Sequence, residues 1–303
     1  MRGLHVLSDF DGVWTDPERE LDAVRAEVLR RLAKLSAWPV ERVGRLYDRL
    51  AGRARSEPEV HGWRIGGELT SYLDEDFFGL PAAVGEILAR GEDEETAELR
   101  DAVLAAWPAV SAFFDACYHE TCAWFRRRYP HDLTRGAGRL LDWLAREGVR
   151  VTFATNAPAE KVQAWFAEHG LRVDDARETE AGSRPLRVYG RAGKQWLGEE
   201  PCRRRFGGRP VRVDRPRYRA ILEREQPDLV LGDVLSLDLA LPLHLRAEGR
   251  EEAPRRAVLV ERPETPDWVR AAAGPGLDRL DALVPHVTSL PRMLQGLRPR
   301  APA

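Results

Sequence analysis

The stretch LHVLSDFDGVWTD, residues 4–16, decides how the rest of the chain is interpreted. A short apolar run leads into Asp9, one residue separates Asp9 from Asp11, and Gly12 follows. Two neighbouring carboxylates repel each other and add nothing to a hydrophobic core. The pattern predicts a buried strand over residues 4–8 that ends in a charged pair, which a metal ion, a phosphate reaction or solvent would have to compensate.

The composition predicts a soluble globular protein. Of the 303 residues, 43% are hydrophobic and 32% are charged, and the formal net charge is −2. This charge gives no electrostatic reason to expect nucleic acid or a membrane as a partner, and no segment approaches the roughly 18 apolar residues of a membrane span. Three cysteines are too few for a disulfide framework. With no signal-like segment at the start, we expect a cytoplasmic protein.

The spacing of apolar residues divides the chain into a helical part and an α/β part. From about residue 19 to 129 the spacing is helical, and we predict no strand there. Later, helices alternate with β-rich runs, which is typical of a parallel sheet with right-handed crossovers. Those runs lie at 149–156, 186–190, 228–233, 256–262 and 282–287.

The first strand has no partner near it in the sequence, so it must join the later strands. We therefore predict an α/β fold with a Rossmann-like parallel sheet formed by residues 1–15 and 133–292. An all-helical domain at 16–132 would be inserted into it, and residues 293–303 would form a C-terminal tail.

Three predicted strands end in polar residues, and ligands bind beyond the carboxyl ends of strands in open parallel sheets. Each short string is common by itself, but three in this order form a much more specific signal. They are Asp9 with Asp11, Thr155 with Asn156, and Gly232 and Asp233 with Asp238.

Simpler interpretations of these residues stay open. Thr155 and Asn156 could cap the helix that starts near Pro158, and Asp238 could cap the helix that follows it. The first carboxylate pair could also be a solvated turn.

The polar strand ends together resemble the motifs of the haloacid dehalogenase superfamily of phosphotransferases. The first motif of that family is a strand followed by D-x-D and usually Gly, the second a strand ending in Ser or Thr, and the fourth G-D with a later acid. Here they correspond to Asp9-Phe10-Asp11-Gly12-Val13, to Thr155-Asn156, and to Gly232-Asp233 with Asp238. The resemblance covers roughly 1–15 and 133–292, and the insertion at 16–132 has the position of the family's helical cap.

The third motif of the family, a lysine or arginine, has more than one candidate. Lys194 in VYGRAGKQWLG has the expected residue type, whereas Arg215 in VDRPRYRAIL has the proline that often follows it. We favour Lys194 and keep Arg215 open. Lys161 is a weaker candidate because it lies in an amphipathic helix just after the second motif.

The resemblance implies a reaction mechanism and a cofactor. Asp9 would attack phosphorus and form an aspartyl phosphate, while Asp11 would protonate the leaving oxygen and later activate water. Mg²⁺ would be bound by the Asp9 carboxylate, the Asp11 backbone carbonyl and Asp233, with Asp238 as a ligand or just behind the ligands.

The phosphoryl group would be bound by the remaining motif residues. Thr155 would hydrogen-bond a phosphoryl oxygen with help from the Asn156 amide, and Gly12 would line the same pocket. Lys194 would neutralise the phosphoryl charge and orient Asp9.

The sequence thus predicts a Mg²⁺-dependent phosphatase for a small phosphorylated metabolite. Asp11 favours phosphate chemistry over dehalogenation, since dehalogenation has no leaving alcohol to protonate. A phosphomutase and a non-catalytic protein that binds a phosphometabolite remain as alternatives. We also expect Trp14 to face the cleft between core and cap. The connection 58–79 is either a structural connector or a loop that places four residues near the leaving group, namely Trp63, Arg64, Glu68 and Tyr72.

Overall fold

A computed structural model describes residues 3–129, 134–180 and 185–297. The chain divides into two compact units, one made of residues 1–16 and 131–303 and the other of residues 17–130. The residues around the expected junction at 132–133, and the end of the expected tail, lie outside the described ranges. Within those ranges, no helix combines the length and apolar character that a membrane span requires.

The two units contain eleven strands and eleven α-helices among the described residues, besides two short 3-10 helices and one π-helical turn. The strands are β1 His5–Ser8, β2 Gly62–Ile65, β3 Glu68–Tyr72, β4 Arg150–Ala154, β5 Asp174–Asp175, β6 Leu186–Tyr189, β7 Arg203–Phe206, β8 Arg209–Arg212, β9 Leu229–Gly232, β10 Arg256–Val260 and β11 Ala282–Val284. The helices are α1 Glu18–Ser36, α2 Val40–Ser56, α3 Leu80–Arg90, α4 Glu94–Leu104, α5 Val110–Arg128, α6 Ala137–Arg146, α7 Ala159–Glu168, α8 Pro216–Glu225, α9 Ala240–Ala247, α10 Asp267–Arg270 and α11 Leu290–Leu294. Helix α11 includes the first two residues of the expected tail.

The first unit is built on a seven-stranded sheet, which confirms the predicted α/β fold. The strand order is β11-β10-β9-β1-β4-β6-β5, and the pairings between these strands are parallel. The chain extends the sheet to one side of β1 and then returns to extend it to the other side. A switch point therefore lies between β1 and β9, where such sheets leave a crevice beyond their carboxyl ends.

The core of this unit is apolar because the parallel strands are covered on both faces. Val6, Val151 and Leu231, from three neighbouring strands, are fully or almost fully buried. Leu140 and Leu144 of α6 pack into the same cluster. The continuous apolar runs that predicted strands thus form the middle of the sheet.

Trp14 belongs to this core, so the expectation that it faces a cleft is wrong. Its side chain is 0% exposed, its indole Nε1 donates to Ser8 Oγ at 2.9 Å, and its ring meets Phe153 edge to face at 5.6 Å. Trp14 anchors the turn after β1 to the sheet because its large apolar ring is buried there.

The second unit is mainly helical, with α1 to α5 around an apolar core that includes Leu46, Ile87 and Phe113. It also contains an antiparallel hairpin, β2 and β3, where we predicted no strand. Gly66 and Gly67 form its turn, and both have positive φ. A Gly-Gly pair between short β-prone runs is a hairpin signal, but the long helical pattern on both sides obscured it.

A second hairpin, β7 and β8, was also missed, and it lies in the first unit between β6 and α8. It has the same Gly-Gly turn, at Gly207 and Gly208. Its strands are rich in arginine, and β7 is mostly exposed whereas half of β8 is buried. Neither strand carries the apolar alternation from which a strand could be predicted.

Candidate active site

Three carboxylates converge at the carboxyl edge of the sheet. Asp9 follows β1, Asp233 follows β9, and Asp238 lies in the turn beyond Asp233. One oxygen of each lies within 4.8 Å of the others, and in the described part of the chain no other set of three Asp, Glu, His or Cys side chains could hold a metal ion. The three side chains are 12%, 4% and 3% exposed. Water therefore screens their mutual repulsion poorly.

Lys194 lies between two of these carboxylates. Its Nζ is 2.7 Å from Asp9 Oδ1 and 2.6 Å from Asp238 Oδ1. Burial disfavours its charged form, but Asp238 and Asp9 outweigh burial and raise the pKa of Lys194. Burial raises the pKa of Asp9 well above its usual value, with Lys194 opposing the shift and Asp238 and Asp233 adding to it. Lys194 offsets part of the negative charge and leaves a surplus.

The loop that carries Lys194 is anchored through its backbone. The amide of Lys194 donates to Asn156 Oδ1 at 3.0 Å, and Ala192 donates to the Thr155 carbonyl at 2.8 Å. The buried Arg215 donates to the Lys194 carbonyl. Of the two main candidates for the third motif, the structure therefore brings the Lys194 side chain to Asp9, whereas the Arg215 side chain contacts the Lys194 backbone.

Asp238 holds the turn after β9. Its Oδ2 accepts hydrogen bonds from the amides of Asp233 at 3.2 Å and Val234 at 3.1 Å. Asp238 lies in a π-helical turn at Leu235–Leu239, and a Cβ at Gly232 would overlap its side chain. Asp238 therefore stabilises the Asp233 turn and does not cap α9.

Asp11 forms an ion pair that the sequence analysis did not predict. Its Oδ1 is 2.5 Å from Lys161 Nζ, and the two side chains are 22% and 7% exposed. Lys161 lies in the first turn of α7, directly after β4, and β4 is the neighbour of β1. A lysine at the start of the helix after β4 must lie at the same edge as the acids, which is the signal that could have identified it.

Thr155 and Asn156 continue from β4 into the turn before α7. Thr155 is buried, its amide donates to the Tyr189 carbonyl at 3.1 Å, and its Oγ1 accepts from the Ala157 amide at 3.0 Å. The hydroxyl thus supports the turn, in line with the simpler interpretation, and still has its own proton to donate. Asn156 uses its side chain to position Lys194.

Arg262 is a further cation of the site, and the sequence analysis did not name it. It follows β10, the neighbour of β9, and its guanidinium donates to Asp233 Oδ2. Its amide donates to Thr265 Oγ1 at 2.8 Å, which fixes the turn. Gly12 has φ +77°, and a Cβ there would overlap both Arg262 and Asp233. The glycine after the two first-motif acids therefore leaves the room that this ion pair occupies.

Comparison with known proteins gave matches among solved structures only. No family model and no curated protein matches this chain. A HAD phosphatase from Thermococcus onnurineus shares 16% identity over 98% of this chain and 100% of its own, with a TM-score of 0.47. A haloacid dehalogenase-like family hydrolase from Xanthomonas campestris shares 13% identity over 97% and 91%, with a TM-score of 0.46.

A third similar structure is a variant of CbbY from Rhodobacter sphaeroides in complex with xylulose-(1,5)bisphosphate. It shares 15% identity with this chain, covers 95% of it and 96% of its own length, and has a TM-score of 0.44. At these values the similarities carry no inference about substrate or mechanism. Function must be argued from the side chains at the carboxyl edge of the sheet.

Proposed function

We propose that this protein is a Mg²⁺-dependent phosphatase of the haloacid dehalogenase type that hydrolyses a small phosphorylated metabolite through an aspartyl phosphate on Asp9. The observation that carries the proposal is the contact of Lys194 with Asp9 at 2.7 Å inside a group of three converging carboxylates. A nucleophilic carboxylate, a fixed cation beside it and room for a second cation are what a dianionic phosphate ester needs in order to be attacked.

The donor set fits Mg²⁺, which prefers hard oxygen ligands. The Asp9 carboxylate, the Asp11 carbonyl and Asp233 would hold the ion. Both oxygens of Asp238 are engaged, one by Lys194 and one by two backbone amides, so Asp238 fits better as the group that holds Asp233 and Lys194 in place. A bound Mg²⁺ would supply positive charge that offsets the carboxylate repulsion and the phosphoryl charge.

The first half of the reaction would transfer the phosphoryl group to Asp9. Lys194 holds Oδ1 of Asp9, which leaves Oδ2 to form the bond to phosphorus while the ester P–O bond breaks. Asp11, two residues along the same strand end, would act in its carboxylic acid form and give the leaving oxygen its proton, which it would regain from water in the second half of the reaction. Lys161 would keep the Asp11 carboxyl oriented, and the Thr155 hydroxyl would donate to a phosphoryl oxygen.

The second half would restore the enzyme. Asp11 would remove a proton from a water molecule, the water oxygen would bond to phosphorus, and the P–O bond to Asp9 would break. Inorganic phosphate would leave, and Asp9 would be a carboxylate again. Splitting the hydrolysis into two steps lowers each barrier because the attacking carboxylate is already positioned.

The test is phosphate release from a panel of small phosphate monoesters, with Mg²⁺ and with a chelator. We expect Mg²⁺-dependent release by the wild type, none by Asp9→Asn, and wild-type release by Asp267→Asn, which changes an exposed aspartate of the same unit. Equal turnover by Asp9→Asn would refute the mechanism. An isomerised product without free phosphate would identify a phosphomutase, and binding without turnover a binding protein.

A further inference from the structure

Arg262 is a charged residue of the site to which the proposed phosphoryl transfer assigns no role. Its guanidinium contacts Asp233, one of the carboxylates in the metal-binding group. The Arg262 side chain is 18% exposed and that of Asp233 is 4% exposed. Both charges are poorly solvated, and the loss of either partner would leave the other strongly destabilised. The proposed phosphoryl transfer does not explain why an arginine is paired with Asp233.

The molecule makes specific room for this contact. Gly12 is the residue whose Cβ would overlap both partners, and the Arg262 backbone is held by Thr265. Arg262 is thus directed at Asp233 by its own turn, and the loop that carries Asp9 and Asp11 accommodates it. A surface arginine that met an acid by chance would have neither feature.

We propose that Arg262 is a built-in counterion of Asp233 that competes with the divalent cation for this carboxylate. The inference deepens the proposed function and rests on it, because it takes Mg²⁺ to be the cofactor. Without metal, Arg262 and Lys194 offset two of the three carboxylate charges. When Mg²⁺ binds, it replaces Arg262 as the cation nearest to Asp233. The arginine therefore sets how much free Mg²⁺ the site requires.

The charges favour competition over the alternative, in which Arg262 orients Asp233 for the metal. Outer residues that orient a ligand raise metal affinity, but these are usually neutral groups or carboxylates. Arg262 is a full positive charge on Asp233, and an oxygen of Asp233 lies within 4.8 Å of oxygens of the other two carboxylates, Asp9 and Asp238. A metal bound to the group must then lie close to a like charge, and poor solvation strengthens that repulsion.

The two explanations predict opposite signs, which direct metal binding can separate. Mg²⁺ and Mn²⁺ are titrated into the metal-depleted full-length protein without substrate, by calorimetry and by the electron paramagnetic resonance signal of free Mn²⁺. We expect Arg262→Met to bind both ions on the order of tenfold more tightly than the wild type, and Arg262→Lys, which keeps the charge, to bind within about threefold of it.

Thermal unfolding provides a second readout. Metal-free Arg262→Met should melt below the wild type, because the carboxylates lose a counterion, and saturating Mg²⁺ should raise its Tm more than that of the wild type. If Arg262 were merely structural, its replacement would lower the Tm equally without metal and with saturating Mg²⁺. Arg270→Gln is the matched control, since Arg270 pairs with Glu261 at 2.6 Å, next to Arg262 in the sequence, and it should leave metal affinity unchanged.

Unchanged or weaker metal binding by Arg262→Met would overturn the inference, as would absence of binding in every variant. Arg262→Gln serves the same comparison if the methionine variant does not fold. The proposed function has a separate readout: Mg²⁺-dependent phosphate release with unchanged affinity in Arg262→Met would leave the phosphatase intact and remove the competition. Tighter metal binding by Arg262→Met, with no phosphate release by any variant, would support the competition and refute the phosphatase.

Discussion

The sheet of the first unit buries charge in two places, and the two clusters are built differently. Near the start of β1, Glu225 at the end of α8 is 0% exposed. Arg187 Nη1 donates to its two oxygens at 3.0 and 3.1 Å, and the Tyr189 hydroxyl donates at 2.6 Å. At the carboxyl edge, by contrast, three carboxylates share Lys194 and Arg262.

The difference lies in the charge balance. The Glu225 carboxylate pairs with Arg187 and accepts hydrogen bonds from neutral donors, and His5 and Thr152 belong to the same network. With all three carboxylates ionised, the group at the carboxyl edge keeps a net negative charge even after Lys194 and Arg262 are counted. A buried polar network that is fully satisfied serves the fold, whereas an unbalanced one is tolerated only where a ligand restores the balance. By this criterion the balanced network around Glu225 stabilises the fold, whereas the three carboxylates at the carboxyl edge require a further cation.

The largest expected effect is that of Asp9→Asn, because it removes the proposed nucleophile. We expect phosphate release to fall by at least about 10³-fold, while the metal-free variant melts at or above the wild-type Tm. Burial raises the pKa of Asp9 well above its usual value, so its ionised form destabilises the metal-free fold at neutral pH. Activity assays and thermal unfolding check the two halves. A large drop in Tm would mean that the acids at this edge hold the fold after all.

Glu225→Gln should show the opposite behaviour. It leaves the buried Arg187 without its counterion, so we expect the free energy of unfolding to fall by about 3–5 kcal/mol. Phosphate release per folded molecule should not change. Denaturant unfolding measures the first and the activity assay the second. Glu223→Gln on the same helix is the control, since Glu223 is 52% exposed and its loss should matter little.

A smaller effect is expected for Trp14→Phe, which tests whether the buried Trp14 ring anchors the turn after β1 to the sheet. The variant loses the Nε1 hydrogen bond to Ser8 Oγ at 2.9 Å and part of a fully buried ring. We expect it to lower the free energy of unfolding by about 1–3 kcal/mol. Trp196→Phe, at a ring that is 41% exposed, is the control. Equal stability of Trp14→Phe and wild type in denaturant unfolding would mean that this packing does not anchor the turn.

The sheet could be predicted from the sequence because its strands are buried on both faces. Runs such as RAVLV and VTFA therefore contain few polar residues, and the chain order of strands and helices limits the topology. The hairpins β2–β3 and β7–β8 could not be predicted as easily. Their strands have four or five residues and are partly exposed, so only the Gly-Gly turns distinguish them from loops.

The location of a site residue could be predicted where the residue directly follows a strand. The contacts made by long side chains could not be predicted. Asp9 and Asp233 could be placed together because both directly follow strands. Lys161 could have been placed at this edge from its position at the start of α7, but its ion pair with Asp11 could not be predicted. Arg262 reaches the same edge through a long side chain, and the sequence does not reveal where such a side chain ends. The preference for Lys194 over Arg215 depended on residue type. In the structure the Lys194 side chain contacts Asp9, whereas the Arg215 side chain contacts the Lys194 carbonyl.

The smallest expected effect concerns a partly exposed charge cluster around Glu27 in the second unit, where water stabilises the charges more than it does in the two buried clusters. Glu27 accepts hydrogen bonds from Arg30 at 2.7 Å and from Arg31 at 2.6 Å. The bonds from Arg30, opposed by partial burial and supported by Arg31, lower the pKa of Glu27 to about 2. Because the Arg30 side chain is 61% exposed, we expect Glu27→Gln to lower the free energy of unfolding by only about 0.5–1 kcal/mol at pH 7.

The pH dependence of that difference tests its electrostatic origin. A folded-state pKa below the unfolded value means that the contribution is fully present above about pH 4.5 and is lost as the pH falls towards 2. Denaturant unfolding of wild type and Glu27→Gln at pH 7 and at pH 3 should therefore show a gap that narrows in acid, and added salt should narrow it at pH 7. A gap independent of pH and salt would mean that Glu27 acts through packing of its side-chain stem. In that case Glu27 would stabilise the fold through packing, whereas the two buried clusters act through charge.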